Sequence, residues 1–155
     1  MLPTLARTYL LAGLEGTPAV LAGLLGGLAQ DDARWDVRPD PDRYTLREIV
    51  AHLATVEPYW PERARRTREE EEPFFPRAPL ESDEVLARPP AVNLAHFAAS
   101  RAQFVQVLRE LDESDWERVG RSEFLGTLTL ENQAVFVCAH DGYHLKQIAQ
   151  WLAMV

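Results

Sequence analysis

The stretch that decides the fold is residues 132–152, with the sequence NQAVFVCAHDGYHLKQIAQWL. At about 100° per residue along a helix, six of its side chains fall on one stripe. These are Gln133, Val137, His140, His144, Gln147 and Trp151. His140 and His144 lie one helical turn apart, within reach of one metal ion. A face that mixes apolar side chains with two histidines and two glutamines predicts a polar site at the mouth of a core.

The composition limits the classes of function. A chain of 155 residues suits one domain, residues 1–155, that is large enough to bury a core. Sixteen Lys and Arg against 24 Asp and Glu give a net charge of −8. Because this charge repels a phosphate backbone, we expect a small-molecule substrate and no nucleic-acid partner.

The cysteine content and the hydropathy of the chain indicate where in the cell the protein resides. Cys138 is the single cysteine, so no internal disulfide can form, and a cytoplasmic location fits. It lies about 160° around the helix from His140 and is predicted to pack as a small apolar residue. The longest apolar run, residues 19–29, is about half of what a membrane span needs, so we expect no membrane partner.

The first third of the chain predicts a helix and a loop. Residues 4–29 are rich in Leu and Ala. Thr17-Pro18 resembles an N-cap followed by proline, which predicts one kinked helix or two short ones. Turn-forming residues make 30–44 a connection, and Trp35 is predicted to cover the core from that loop.

A second helix is predicted to begin at Thr45. Thr45 and Glu48 have the spacing of a capping box. Pro58 and Pro61 predict a bend further along. The charged residues 62–72 are interpreted as a solvated helix end.

The remainder predicts two more helices. Residues 73–90 are interpreted as a long irregular connection that partly covers the bundle, and 91–111 as the third helix, with Arg101 falling on its apolar face. Residues 124–128 are predicted to form a short strand or an extended lead-in to the last helix, for which Thr129 is a plausible N-cap. The predicted fold class is all-α, a four-helix bundle with one long irregular crossover.

A three-histidine site is the central functional hypothesis. His52 on the second helix can add a third imidazole to His140 and His144, because bundles build metal sites from facing helices. Three neutral imidazoles suit zinc, nickel or iron(II), and three protein ligands leave a coordination position open, as in catalytic zinc sites. A single histidine on an amphipathic helix is also commonly a packed or solvated residue, and two histidines four residues apart are a weak signal alone.

Two motifs resemble a known family. Residues 44–53, YTLREIVAHL, look like the W-S/T-x-x-E-x-x-x-H-L start of the second helix in the DinB-like four-helix bundles, with Tyr44 where the family often has Trp. His140-Asp141-x-x-His144-x-x-Gln147-Ile148 is similar to the motif of that family's last helix. The resemblance covers almost the whole chain, from Thr17-Pro18 through the loop and Asp112 to Trp116, and implies an up-down-down-up bundle. It also implies a divalent metal, usually zinc or nickel, held by His52, His140 and His144.

The resemblance favours one of three alternative functions. The family includes metal-dependent S-transferases that use mycothiol, bacillithiol or glutathione, and a thiol-dependent maleylpyruvate isomerase. Its name refers to induction by DNA damage, a stress response, and not to DNA binding. The leading expectation is therefore transfer of a low-molecular-weight thiol to a small electrophile. The alternatives are a hydrolase that uses metal-bound hydroxide and a non-catalytic bundle that binds a ligand or associates with itself.

Supporting roles are predicted for other side chains. Asp141 is expected to accept the second N–H of His144, or else to be a surface charge. Gln147 is expected to bind substrate or metal-bound water. Glu48 is the nearest candidate for a general base, if its capping box leaves it available. Tyr59 and Tyr143 are candidates for hydrogen bonding at the rim.

Two expectations concern partners. An acidic thiol cofactor would need cationic groups to hold it. The candidates are Arg63, Arg65, Arg66 and Arg68. The apolar bundle faces and the glycine-rich first helix leave room for a homodimer.

Overall fold

The structure is a computed structural model that describes residues 2–38 and 40–154. Its α-helices are α1 (Thr4–Leu25), α2 (Leu46–Val56), α3 (Tyr59–Glu69), α4 (Asp83–Ala87), α5 (Pro90–Arg109) and α6 (Leu130–Leu152). Its strands are β1 (Phe74–Phe75), β2 (Val119–Ser122) and β3 (Gly126–Thr129). Short 3₁₀ helices occupy Ala33–Asp36 and Asp115–Glu117.

The long helices form four columns, because α2 and α3 follow each other in one column. α1 packs against α5 and α6, and the α2–α3 column packs against the same two helices. The column of α1 and the column of α2 and α3, which come first in the chain, therefore lie diagonally opposite each other in the bundle. The predicted all-α four-helix bundle is confirmed, and the long crossover between α3 and α5 carries β1 and α4.

The core divides into two apolar clusters with a polar layer between them. One cluster includes Leu14, Trp60, Phe104 and Val137, and the other includes Leu21, Leu53, Phe97 and Ile148. In each column a buried polar residue falls between members of the two clusters. We call this set the polar layer; it consists of Thr17, Glu57, Arg101 and Asp141.

The helix α1 is continuous, so the prediction that Thr17 is an N-cap was wrong. Pro18 lies inside the helix and lacks the N–H that would bond to the carbonyl of Leu14. Arg101 donates to that carbonyl instead, at 3.0 Å. The hydroxyl oxygen of Thr17 lies 3.1 Å from the carbonyl oxygen of Gly13. A side chain from another helix thus restores the hydrogen bonding that proline interrupts.

The predicted helix starts are confirmed where their caps are local. The Thr45 hydroxyl accepts from the backbone N–H of Glu48 at 3.1 Å, and the Glu48 carboxylate accepts from that of Thr45 at 2.7 Å. The bend predicted from Pro58 and Pro61 takes the form of a break at Pro58, which separates α2 from α3. Thr129 caps α6 by accepting from the N–H of Asn132 at 3.0 Å.

A small sheet covers α3 and corrects two expectations. β1 pairs in parallel with β2, which pairs antiparallel with β3; only a fragment near residues 124–128 was predicted. Arg63 and Thr67 are buried beneath this region, so 62–72 is only partly a solvated end. Gly120 permits the close contact, because a Cβ there would lie 2.7 Å from the ring of Phe75.

The helix α1 is long and apolar enough to cross a membrane, by length and composition alone. Its Leu14 and Leu21 are nevertheless buried in the two apolar clusters. Its Arg7 pairs with Glu113 and Glu131 at 2.7 and 3.0 Å. These contacts are those of a bundle helix.

Candidate metal centre

Three imidazoles converge on one point between α2 and α6. The Nε2 atom of His140 lies 3.2 Å from that of His52 and 3.1 Å from that of His144. One ligand atom from each ring lies within 4.8 Å of the others. The structure therefore brings together the three histidines that the sequence predicted.

The local sequence explains how each ring reaches this point. His52 lies in the middle of α2, which is anchored by its capping box and by the buried Ile49 and Leu53. His140 and His144 are four residues apart on α6, so their side chains share a face. Because α2 packs against α6, the ring of His52 meets the other two.

Hydrogen bonds on two of the rings direct their lone pairs inward. The Nδ1 of His52 lies 2.6 Å from Oε1 of Glu81. The Nδ1 of His144 lies 2.8 Å from Oε1 of Gln147. Both oxygens are acceptors, so each neutral ring carries its proton on Nδ1 and leaves the Nε2 lone pair available. This is the tautomer that an Nε2 metal ligand requires.

Electrostatics keep two of the rings neutral. Burial lowers the pKa of His140 to about 4, and the neighbouring His52 and Arg101 act in the same direction. Burial also lowers the pKa of His144 to about 3, with further lowering by His140 and His52. Both rings are therefore uncharged at neutral pH, as metal ligands must be.

The spacing of the nitrogens fits a divalent cation. With metal–nitrogen bonds of about 2.0–2.1 Å, neighbouring ligand nitrogens lie about 3.3 Å apart around a tetrahedral ion and about 2.9 Å apart around an octahedral one. The separations of 3.1 and 3.2 Å fall between these values. The arrangement is suited to hold one ion through three nitrogens.

Comparison with known proteins agrees with this architecture. The sequence profile of the DinB superfamily matches residues 13–148. The chain belongs to the DinB superfamily. This confirms the family that the two motifs indicated.

A solved structure with the same fold is that of YfiT from Bacillus subtilis, described as a probable metal-dependent hydrolase with an unusual four-helix bundle topology. The match has a TM-score of 0.88 at 21% identity and covers 97% of this chain and 88% of YfiT. No curated protein matches the chain. The likeness to YfiT confirms the bundle fold of this DinB superfamily chain.

The structure corrects the predicted role of Asp141. Its carboxylate does not bind His144 but accepts two hydrogen bonds from Arg101, at 2.5 and 2.9 Å, and one from Thr17 at 2.8 Å. Arg101 also binds both oxygens of Glu57, at 2.6 and 2.9 Å. Asp141 is thus part of the polar layer directly beside His140.

The partners of Gln147 and Glu48 also differ from expectation. Gln147 binds His144, and its Nε2 donates to the hydroxyl of Tyr143 at 3.2 Å, so it orients a ring instead of facing substrate. Glu48 is held by the N–H of Thr45 and by an ion pair with Arg38. The structure therefore does not support Glu48 as a general base.

A cavity of about 310 Å³ opens beside the histidines. His52, His140 and Glu81 contribute to its wall, together with Tyr59, whose hydrogen-bonding role at the rim stays a prediction. The other side chains that line it are Tyr44, Val56, Trp60, Arg63, Arg77, Ala78, Pro79, Leu80, Phe124, Leu125 and Phe136. A larger, more open cavity of about 550 Å³ lies nearby, but no histidine lines it.

Two residues at the site were missed from the sequence. Glu81 lies in the proline-rich crossover, where no periodic pattern indicates which side chains face inward. Arg101 was placed on the apolar face of the third helix, and a charged residue on such a face was the available signal of a buried ion pair. Both contacts join segments far apart in the chain.

Proposed function

We propose that this DinB superfamily chain is a metal-dependent enzyme that transfers a low-molecular-weight thiol to a small electrophile. His52, His140 and His144 hold one divalent cation, with zinc or nickel the leading candidates and iron the next. The observation that carries the proposal is the convergence of three Nε2 atoms beside a cavity. The net charge of −8 favours a small-molecule substrate over nucleic acid.

The residues around the cation have defined tasks. A bound divalent cation lowers the pKa of a thiol or water that it binds, which makes the nucleophile available at neutral pH. Glu81 and Gln147 hold the rings of His52 and His144 in the ligand orientation. Trp60, Leu125 and Phe136 form apolar walls that exclude water from the reacting groups.

The state of the carboxylates favours thiol transfer over hydrolysis. Attack by water calls for a well-placed general base. Asp141 is engaged by Arg101, Glu48 by Arg38, and Glu81 by His52. A thiol loses its proton far more readily than water does, so its transfer has less need of a base.

Metal-dependent hydrolysis is the second candidate, and Glu81 is the observation that favours it. Glu81 is a carboxylate that lines the cavity next to His52. On leaving the Nδ1 of His52, it would be placed to accept a proton from water. The description of YfiT as a probable metal-dependent hydrolase supports the same alternative.

Metal analysis tests the first part of the proposal. Protein purified without a histidine tag should contain about one zinc or nickel per chain, and His144→Ala should lose it. His96, which is exposed and outside the cluster, provides the control variant His96→Ala. Protein that contains no metal and does not bind added zinc or nickel would refute the site.

Activity assays separate the two reactions. Monochlorobimane with a panel of thiols should give conjugates at a rate that depends on both metal and thiol. Turnover of esters or amides without thiol dependence would identify a hydrolase. A metal-loaded protein inactive in both assays would favour a non-catalytic, ligand-binding bundle.

A further inference from the structure

Arg63 is a buried cation without a carboxylate partner. Its side chain lies in α3 and is only 8% exposed. Its Nη2 donates to the carbonyl of Pro76 at 2.8 Å. Its guanidinium lies 5.2 and 5.6 Å from the ring centroids of Trp60 and Phe75. Among the described residues no carboxylate forms an ion pair with it.

This environment is unusual for the chain. Other arginines with little exposure are matched by carboxylates: Arg7 by Glu113 and Glu131, and Arg101 by Glu57 and Asp141. Aromatic faces attract a guanidinium but leave its charge uncancelled. A buried charge without a counter-charge opposes folding, and burial accordingly lowers the pKa of Arg63. A ligand that supplies the counter-charge would remove this cost.

Arg63 lines the same cavity as His52 and His140. Arg77 also lines that cavity, where its guanidinium stacks 5.0 Å from the ring centroid of Phe124. In the described part of the chain the side chain of Arg77 likewise has no carboxylate partner. Two uncompensated cations therefore share a small cavity in a protein whose net charge is −8.

Apart from the two histidines, two tyrosines and Glu81, whose carboxylate is bonded to His52, the rest of the cavity wall is apolar. Leu80 and Phe124 line it while remaining 75% and 63% exposed. Val56 and Phe136 add apolar surface further along the wall. These side chains suit the body of an apolar or aromatic molecule better than a polar thiol cofactor.

We propose that the cavity binds a small apolar or aromatic carboxylic acid, whose carboxylate pairs with Arg63 while its body lies against the apolar wall beside the histidines. Arg77 attracts the acid at the mouth. The assignment rests on the function proposed above and names the class of the electrophilic substrate. Arg63 is then a substrate-binding residue that sets specificity for anions.

The test compares an acid with its neutral isostere. Binding of 4-fluorophenylacetate and 4-fluorophenylacetamide to the full chain is measured by fluorine NMR titration, with zinc added and after chelation. We expect the acid to bind at least tenfold more tightly than the amide. Equal affinities, or tighter binding of the amide, would overturn the proposal.

Variants assign the preference to one side chain. Arg63→Gln should reduce the affinity for the acid to that for the amide, and Arg63→Lys should keep part of the preference. Arg65→Gln is the matched control, because Arg65 lies on the same helix, is exposed and pairs with Glu62. A preference that persists in Arg63→Gln would exclude the assignment. If that variant does not fold, Arg63→Lys decides the assignment: a reduced acid preference supports it, and an unchanged preference contradicts it.

The measurement separates this proposal from the function that it extends. Binding of the acid does not require the cation, so a failed metal site would leave the acid preference measurable. Conversely, a metal-loaded protein that conjugates thiols but shows no acid preference would retain the proposed function and lose only the substrate class.

Discussion

The imidazole of His144 is fixed by contacts at both nitrogens. Its Nδ1 is bonded to Gln147, which is itself bonded to Tyr143. Its Nε2 faces His140 at 3.1 Å. One turn of α6 thus supplies a ligand, the residue that orients it, and the residue that holds the orienting amide.

Replacing Gln147 with Ala should weaken metal binding. The His144 ring would lose its acceptor, and loss of such a partner lowers metal affinity by about 10- to 100-fold. Competition with a chromophoric chelator measures this change. Gln150→Ala, on the exposed side of α6, should have wild-type affinity. An unchanged affinity in Gln147→Ala would show that the contact does not orient the ring.

Replacing Glu81 with Gln separates orientation from proton transfer. The amide oxygen can still accept the hydrogen bond of His52, so metal affinity should fall by no more than about tenfold. Thiol transfer should persist, because the amide preserves the orientation of His52 and thiol transfer has less need of a base. Hydrolysis should be lost, because the amide cannot accept a proton from water. Steady-state rates with and without thiol provide the measurement. Loss of all turnover in a metal-loaded Glu81→Gln protein would favour hydrolysis with Glu81 as the base.

The elements differ in how far sequence predicts them. The starts of α2 and α6 are set by capping hydrogen bonds between residues three apart, Thr45 with Glu48 and Thr129 with Asn132. Such short spacings can be recognised in the sequence. The spacing of His140 and His144 is equally local. Contacts that cross between elements have no such signal, because they depend on packing geometry that periodicity does not encode.

Arg101 is the clearest example of a contact between elements. It lies on α5 and binds Glu57 after α2, Asp141 on α6 and the Leu14 carbonyl on α1. Burial lowers the pKa of Arg101, but the hydrogen bonds to Glu57 and Asp141 outweigh it and raise the pKa above its usual value. The sequence placed Arg101 on an apolar face without showing which carboxylates would meet it there.

Replacing Arg101 with Met should destabilise the bundle. Two carboxylates would remain buried without their cation, which costs about 3–5 kcal/mol of unfolding free energy. Urea denaturation followed by circular dichroism measures the loss. Arg109→Met on the same helix removes an exposed pair with Glu15 and should cost less than about 1 kcal/mol. Similar losses in both variants would show that the polar layer adds no more than a surface pair.

At the scale of the whole molecule, the metal site lies next to the polar layer between two apolar clusters. The layer takes one residue from each column: Thr17, Glu57, Arg101 and Asp141. Apolar packing alone tolerates sliding of one helix along another, whereas bidentate ion pairs specify one register. A fixed register is what three ligands on two helices require. The layer therefore links the stability of the bundle to the geometry of the histidines.

In metal-stripped protein, the free energy of unfolding should depend on pH because His140 and His144 are held neutral in the folded bundle. The folded-state pKa values of His140 and His144, about 4 and about 3, lie below the unfolded value of about 6.5. Between these limits the unfolded chain binds more protons, so stability must fall as the pH decreases from about 6.5.

Each of these histidines should contribute a slope of up to about 1.4 kcal/mol per pH unit in that window. Carboxylates also titrate below pH 5, so the informative quantity is the difference between wild type and His140→Asn/His144→Asn, measured by urea unfolding at each pH. That difference should be constant above pH 7 and should move in favour of the variant as the pH falls to 5. A constant difference across the whole range would mean that the pKa values of both rings are the same in the folded and unfolded chain. The neutral ligand set inferred for the cation would then be wrong.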